Sequence, residues 1–114
     1  LMPDRKFLVL YGNDWHPGVV GIVAGRVRER FRLPTMVCGL HPDGGYFKGS
    51  ARGIRGCELG NIVHAAVSAG VILGGGGHQA AAGVRVAVGA EQAFRDWLEE
   101  HTAEMTWDTV DVVE

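Results

Sequence analysis

Three observations predict a single α/β domain with a central mixed β-sheet flanked by helices. Two short apolar runs, residues 7–11 and 35–40, bracket a segment of helical period. That succession is the pattern of a strand–helix–strand unit with its parallel pair. Residues 46–52 alternate in character at every step, which is the period of a strand. Segments 59–69 and 90–101 repeat their apolar residues at helical spacing.

Each element follows from its residues. Phe7-Leu8-Val9-Leu10-Tyr11 reads as a strand buried on both faces, and Gly12-Asn13-Asp14 breaks it. Pro17 and Gly18 lead into a helix reaching about Arg32, in which Val20, Val23, Ala24, Val27 and Phe31 form one stripe. Arg26, Arg28, Glu29, Arg30 and Arg32 lie largely off that stripe. Pro34 ends the helix, and residues 35–40 form a second buried strand. His41-Pro42-Asp43-Gly44-Gly45 is a turn by composition. In the strand over 46–52, Tyr46, Lys48, Ser50 and Arg52 share one face, with Phe47, Gly49 and Ala51 on the other. The helix over 59–69 has Leu59, Ile62, Val63, Ala66 and Val67 as its core stripe. Residues 83–88 read as a strand, and 90–101 as an amphipathic helix burying Phe94, Trp97 and Leu98. The tail, 106–114, reads either as a short edge strand or as disordered. No repeat and no linker divides residues 1–114, so one domain is expected.

Composition narrows the class. A hydrophobic fraction of 46% with 21% charged residues is ordinary for a globular protein. No apolar stretch approaches the ~20 residues of a membrane span, and no signal-peptide pattern opens the sequence. The expectation is no membrane partner and a cytoplasmic setting. Cys38 and Cys57 share no CxxC spacing and have no histidine pair beside them, which argues against a disulfide framework or a zinc site. The net charge of −2 does not mark a nucleic-acid binder, but its distribution is uneven. Residues 1–55 carry nine of the eleven Lys/Arg and four of the thirteen Asp/Glu. Six acids and no Lys or Arg fall in residues 99–114. The asymmetry allows one basic face on a weakly acidic protein, or simply two solvated faces of opposite sign.

Four consecutive glycines and a histidine, Gly74-Gly75-Gly76-Gly77-His78, are the most informative motif. Glycine loses more backbone entropy on ordering than any other residue, so such a run marks a close approach of backbone to something, a tight turn or a linker. Gln79-Ala80-Ala81-Ala82-Gly83 is small enough to begin a helical turn, whose N–H groups would face an anion. The second motif is the strand face Lys48, Ser50, Arg52. A point charge, a hydroxyl and a bidentate guanidinium at two-residue spacing are three kinds of phosphate ligand on one surface. An exposed strand face of ordinary polar residues has the same alternation. Trp15 and His16 stand in the loop after the first strand, where α/β proteins place sites. Trp15 suits base stacking or docking into a surface, and His16 suits a ligand or a local turn. His41, His64 and His101 show no ligand geometry. The acids are scattered, with only Asp14 near His16, and no nucleophile or metal-cluster motif appears.

Taken in order, these residues resemble the DHH-associated domain of RecJ-like single-strand-specific exonucleases, within the DHH phosphoesterase superfamily. The resemblance rests on Trp15-His16-Pro17-Gly18-Val19-Val20-Gly21-Ile22-Val23-Ala24, on Lys48-Gly49-Ser50-Ala51-Arg52, and on Gly75-Gly76-Gly77-His78 with Ala81-Ala82-Gly83. It covers roughly residues 7–100, leaving 102–114 as an acidic tail. The glycine–histidine element is similar across the superfamily, including phosphodiesterases of oligonucleotides or cyclic dinucleotides. The Trp-His-Pro-Gly-Val-Val-Gly stretch points to the RecJ-like branch. The resemblance implies a 5′-to-3′ exonuclease of single-stranded DNA, with manganese or magnesium held by a DHH catalytic domain absent from this chain. It implies no catalytic residue or metal ligand here. Ser50 and Arg52 would grip phosphate, and Gly75, Gly76, Gly77 and His78 would lie by the scissile group; the reading of the residues themselves adds Lys48 on the same strand face, with Trp15 and His16 as further candidates. This piece alone would then be inactive. Two other readings stand beside it: part of a DHH phosphodiesterase acting on oligonucleotides or cyclic dinucleotides, and a non-catalytic interaction module with the glycine loop purely structural. One departure stands out: Gly53 follows Arg52 where the family usually has serine, removing a hydroxyl from the expected ligands.

Overall fold

The computed structural model describes residues 6–107. The chain runs β1 (Leu8–Gly12), α1 (Val20–Phe31), β2 (Thr35–Leu40), β3 (Tyr46–Arg52), α2 (Leu59–Ser68), β4 (Gly74–Gly77), β5 (Ala81–Ala87) and α3 (Glu91–His101). The five strands form one sheet in the order β1-β2-β3-β5-β4. β1 and β2 are parallel, joined through α1, and the remaining pairs are antiparallel. This is the mixed α/β sheet the sequence predicts.

The two sheet faces are covered unequally. The larger core lies under α2 and α3, where Met36, Phe47, Ala51, Val84 and Val86 meet Leu59, Ile62, Val63, Phe94 and Leu98. On the other face α1 covers β2 and part of β3 through a small cluster of Val20, Ala24 and Val37, with Leu10 packed against it. No other described helix shares that face, so the β3–β5–β4 half stays open.

Several expectations change. β1 is an edge strand covered on both faces in its first half, where Leu8 and Val9 point to opposite sides and are buried, while Leu10, Tyr11 and Gly12 are only half-buried. In α1 only Val20 and Ala24 are buried; Val23 is 38% and Phe31 42% exposed, because one helix over half a sheet face needs a narrow stripe. Trp97 of α3 is half-buried beside fully buried Phe94 and Leu98. The glycine run is not a loop but β4, and residues 79–83 do not open a helical turn. Residues 78–80 make the turn, and Ala81–Gly83 begin β5. Alanine favours helix on its own, but pairing on both sides, with β3 and β4, overrides that propensity. At the C-terminus Thr102 is buried, and Trp107 donates its indole N–H to the Lys6 carbonyl at 2.7 Å. Residues 106–107 are irregular, and the rest of the tail lies outside the described residues.

Candidate functional site

Register assembles the open half-face into cross-strand rows. Gly39, Lys48, Arg85 and Gly74 stand opposite one another across β2, β3, β5 and β4. Two residues along lie Val37, Ser50, Gly83 and Gly76. The third row holds Thr35, Arg52 and Ala81, and His78 joins it through its N–H bond to the Ala81 carbonyl at 2.9 Å. The alternation read from the sequence therefore puts Lys48, Ser50 and Arg52 on one surface, with Phe47, Gly49 and Ala51 buried beneath.

The sequence missed the partners that shape this surface. Gly21, in the first turn of α1, has the Arg52 guanidinium 2.7 Å and the Ser50 hydroxyl 3.5 Å from where a Cβ would sit. Helix glycine is unfavourable by about 1 kcal/mol. Here it lets Arg52 lie against the helix, where its Nη1 also donates to the Ala51 carbonyl at 2.9 Å. The first turn of α1 contains no acid and no side-chain cap, so its positive end faces the same region unopposed. Arg85, from β5, crosses the face above Gly74, where any side chain would overlap its guanidinium. Only the pairing of β5 with β3, invisible to local pattern, puts it in the same cross-strand row as Lys48. Lys48, Arg52 and Arg85 have no ion pair with an acid among the described residues.

The glycine run divides. Gly76 is on the cation face and has open space where a side chain would go. Gly75 and Gly77 point to the other side: a Cβ on Gly75 would meet Val63 of α2 at 3.0 Å, and one on Gly77 would overlap Ala82. The bond from His78 to Ala81 sets the ladder phase, which turns the Gly75 and Gly77 N–H groups to the free edge of the sheet. Gly60 of α2 completes the arrangement, since a Cβ there would stand 2.8 Å from the Gly77 carbonyl. His78 is exposed, and its Nδ1 accepts the Ala80 N–H at 3.4 Å.

Trp15 and His16 reach the opposite end of the face. The indole lies over Gly12 and is 40% exposed, and the Trp15 carbonyl lies over Gly39, so both glycines are needed for the loop to fold back. His16 accepts the Gly18 N–H at 2.8 Å on Nδ1, fixing the turn into α1. It also lines a small groove of about 290 Å³ with His41, Pro42 and Lys48. His41 stacks on Tyr46 and pairs with Asp43 at 3.6 Å. His101 stacks on Trp97.

Gly53 points away from this face. It is buried, and a Cβ there would meet the Gln79 carbonyl at 2.9 Å and Leu59 at 3.6 Å, on the α2 side of the sheet. Its N–H continues the ladder to the Ala80 carbonyl at 2.9 Å.

Charge separates by face. The described acids of α3 and its following turn (Glu91, Asp96, Glu99, Glu100 and Glu104) stand opposite the cation face. No three His, Cys, Asp or Glu side chains gather into a metal-holding group among the described residues, so these residues do not fit a divalent ion. The two cysteines are buried thiols, and burial pushes both up to about 12. Among the described residues no helix is long and apolar enough to cross a membrane.

The half-open sheet face of this α/β domain thus gathers cations without acidic partners among the described residues, a hydroxyl and bare glycine backbone. The family model for the DHHA1 domain matches residues 4–104, and the chain belongs to that family. The single-stranded-DNA-specific exonuclease RecJ of Haemophilus influenzae is 33% identical over 111 residues, which is 88% of this chain and 19% of that protein. A crystal structure of exonuclease RecJ bound to manganese superposes with a TM-score of 0.79 at 30% identity, covering 96% of this chain and 26% of the other. RecJ of Thermus thermophilus in complex with Mg2+ gives 0.77 at 30% identity, covering 91% and 16%. The chain thus spans about a fifth of the length of the curated RecJ it matches.

Proposed function

We propose that this chain is the substrate-holding domain of a RecJ-like 5′-to-3′ exonuclease of single-stranded DNA. Ser50 and Arg52 grip the 5′-terminal phosphate of the strand beside the first turn of α1, Lys48 adds charge along the strand, and Gly76 lets the nucleic acid approach the sheet. His78 and the outward N–H groups of Gly75 and Gly77 face the reacting phosphate from the sheet edge. The domain completes an active site whose manganese or magnesium belongs to a DHH domain outside this chain. Its own part is to bind and orient the strand, and it does not hydrolyse DNA alone.

The observation that carries this reading is the joint position of Ser50 and Arg52 around Gly21, on a face where no acid pairs with Arg52 among the described residues. An always-charged guanidinium held beside a hydroxyl and a helix start matches the geometry and charge of a phosphate. The likeness to RecJ proteins, named for single-stranded DNA, supports DNA over a cyclic dinucleotide. Arg52→Ala tests it. Affinity for a 5′-phosphorylated single strand should fall about tenfold while the thermal midpoint stays within a few degrees, since losing a charge-assisted hydrogen bond removes roughly 1.5–3 kcal/mol. Unchanged affinity would favour an interaction module with a structural glycine strand.

A further inference from the structure

We propose that the base of the 5′-terminal nucleotide sits in the cavity between α1 and the turn at residues 78–80, next to the phosphate held by Ser50 and Arg52. This rests on the reading above and extends it from the phosphates of the strand to its first base.

The cavity measures about 430 Å³, within the roughly 300–1,000 Å³ of small-molecule sites. It lies between the two anchors of that reading. Gly53, on one wall, follows Arg52, and Gln79, on another, follows His78. The Gly53 N–H ties the two walls together by donating to the Ala80 carbonyl at 2.9 Å. α1 runs from the phosphate site to the cavity: Gly21 packs against Arg52 near Ser50, and Arg28, two turns on, lines the cavity. Seven helical residues span about 10 Å. That span is of the same order as the reach from a nucleotide's 5′-phosphate to the far edge of its base. The nucleotide between the terminal phosphate and the reacting one therefore has this cavity within reach of its base.

The lining suits a neutral ring rather than another phosphate. Neither cation on the walls is free. Arg28 donates through Nη1 to the Gly53 carbonyl at 3.3 Å and through Nη2 to Glu29 at 3.4 Å, and Arg55 has a partner too. Glu29 itself lines the cavity and would repel an anion. A guanidinium fixed in this way offers its plane for stacking on a base, and Ile54 and Ala80 add apolar wall. Gln79 is exposed, and its amide carries donors and an acceptor that a base edge can use. Stacking tolerates every base, because each has a π-face.

The test is an amide NMR titration of the chain with two 5′-phosphorylated tetrathymidylates, one natural and one lacking the base of its first nucleotide. With the natural strand, the Ile54, Gln79 and Ala80 amides should shift saturably, together with Ser50 and Gly21. Without the first base, the shifts at Ile54, Gln79 and Ala80 should shrink while those at Ser50 and Gly21 persist, and affinity should fall about fivefold. Gln79→Ala should weaken natural-strand binding about threefold and leave binding of the abasic strand unchanged. Unmoved amides elsewhere in its spectrum would report an intact fold. Equal shifts and affinities for the two strands, or an equal effect of Gln79→Ala on both, would overturn the base site and leave the phosphate reading standing. Absence of shifts at Ser50 and Gly21 would overturn the reading of Ser50 and Arg52, and the base site with it.

Discussion

Gly21 separates two effects that most substitutions confuse. Alanine is the better helix former by about 1 kcal/mol, but its Cβ would stand 2.7 Å from the Arg52 guanidinium. The far end of a flexible side chain can move away, so the fold tolerates the change while the guanidinium is displaced. Gly21→Ala is expected to hold or raise the thermal midpoint and to weaken binding of a 5′-phosphorylated strand several-fold. Calorimetry and a binding titration on one sample check both. Lys48, Ser50 and Arg52 were legible in the sequence because alternation alone puts them on one face. Gly21 and Arg85 were not, because their roles exist only once α1 and β5 are docked beside β3. The orientation of Gly53 was legible too, since its neighbour Arg52 faces the site and alternation turns position 53 away.

At the scale of elements, β4 was the hardest to read. Four glycines carry no periodicity, and strand propensity places glycine among the poorest formers. The strand forms because β5 offers a ladder and because its neighbours leave no room for side chains: one at Gly75 would meet the Gly83 carbonyl at 2.6 Å and Val63 of α2 at 3.0 Å, and one at Gly77 would overlap Ala82. Gly77→Ala should therefore lower the unfolding free energy measured in urea by roughly 1–3 kcal/mol, the cost of an overpacked contact. Gly76→Ala, with nothing near the added carbon, should leave stability within about 0.5 kcal/mol yet reduce strand binding by raising the floor of the face. Equal stability losses would mean that the run is needed only for folding. The elements that were legible, β2, β3 and α2, are those whose burial follows their own period. α1 was overestimated because its apolar stripe is wider than the half-sheet it covers. Val23 and Phe31, both exposed, are the surplus.

For the whole molecule, the uneven charge of the sequence becomes two faces, with cations beside α1 and acids along α3. That separation lets a chain of net charge −2 present a basic surface. The interior has its own pH signature. Burial, reinforced by Glu58, pushes the Cys57 thiol from its ordinary 9.0 to about 12; burial does the same to Cys38 against the opposing pull of Arg95. An unfolded chain would release these protons near pH 9, and the folded one holds them to about pH 12. Their contribution is complete below pH 9 and is lost as pH rises to 12, by up to about 1.4 kcal/mol per pH unit for each thiol. Tyr11, whose phenol burial also raises above its ordinary 10.0, adds to the decline at the upper end. Urea midpoints at about pH 8 and about pH 10.5 should show the drop, and Cys57→Ala should lessen it.

The central claim, that the open half of the sheet holds the phosphate backbone of a single strand, is tested most directly by a fluorescence titration of the chain at low salt. Matched single strands with and without a 5′-phosphate are the ligands, and a divalent metal is added to watch for cleavage. The account predicts tighter binding of the phosphorylated strand, steep weakening with added salt, and no cleavage. Equal affinity for both strands would contradict the phosphate grip, and hydrolysis by the pure chain would contradict a domain without a catalytic centre of its own.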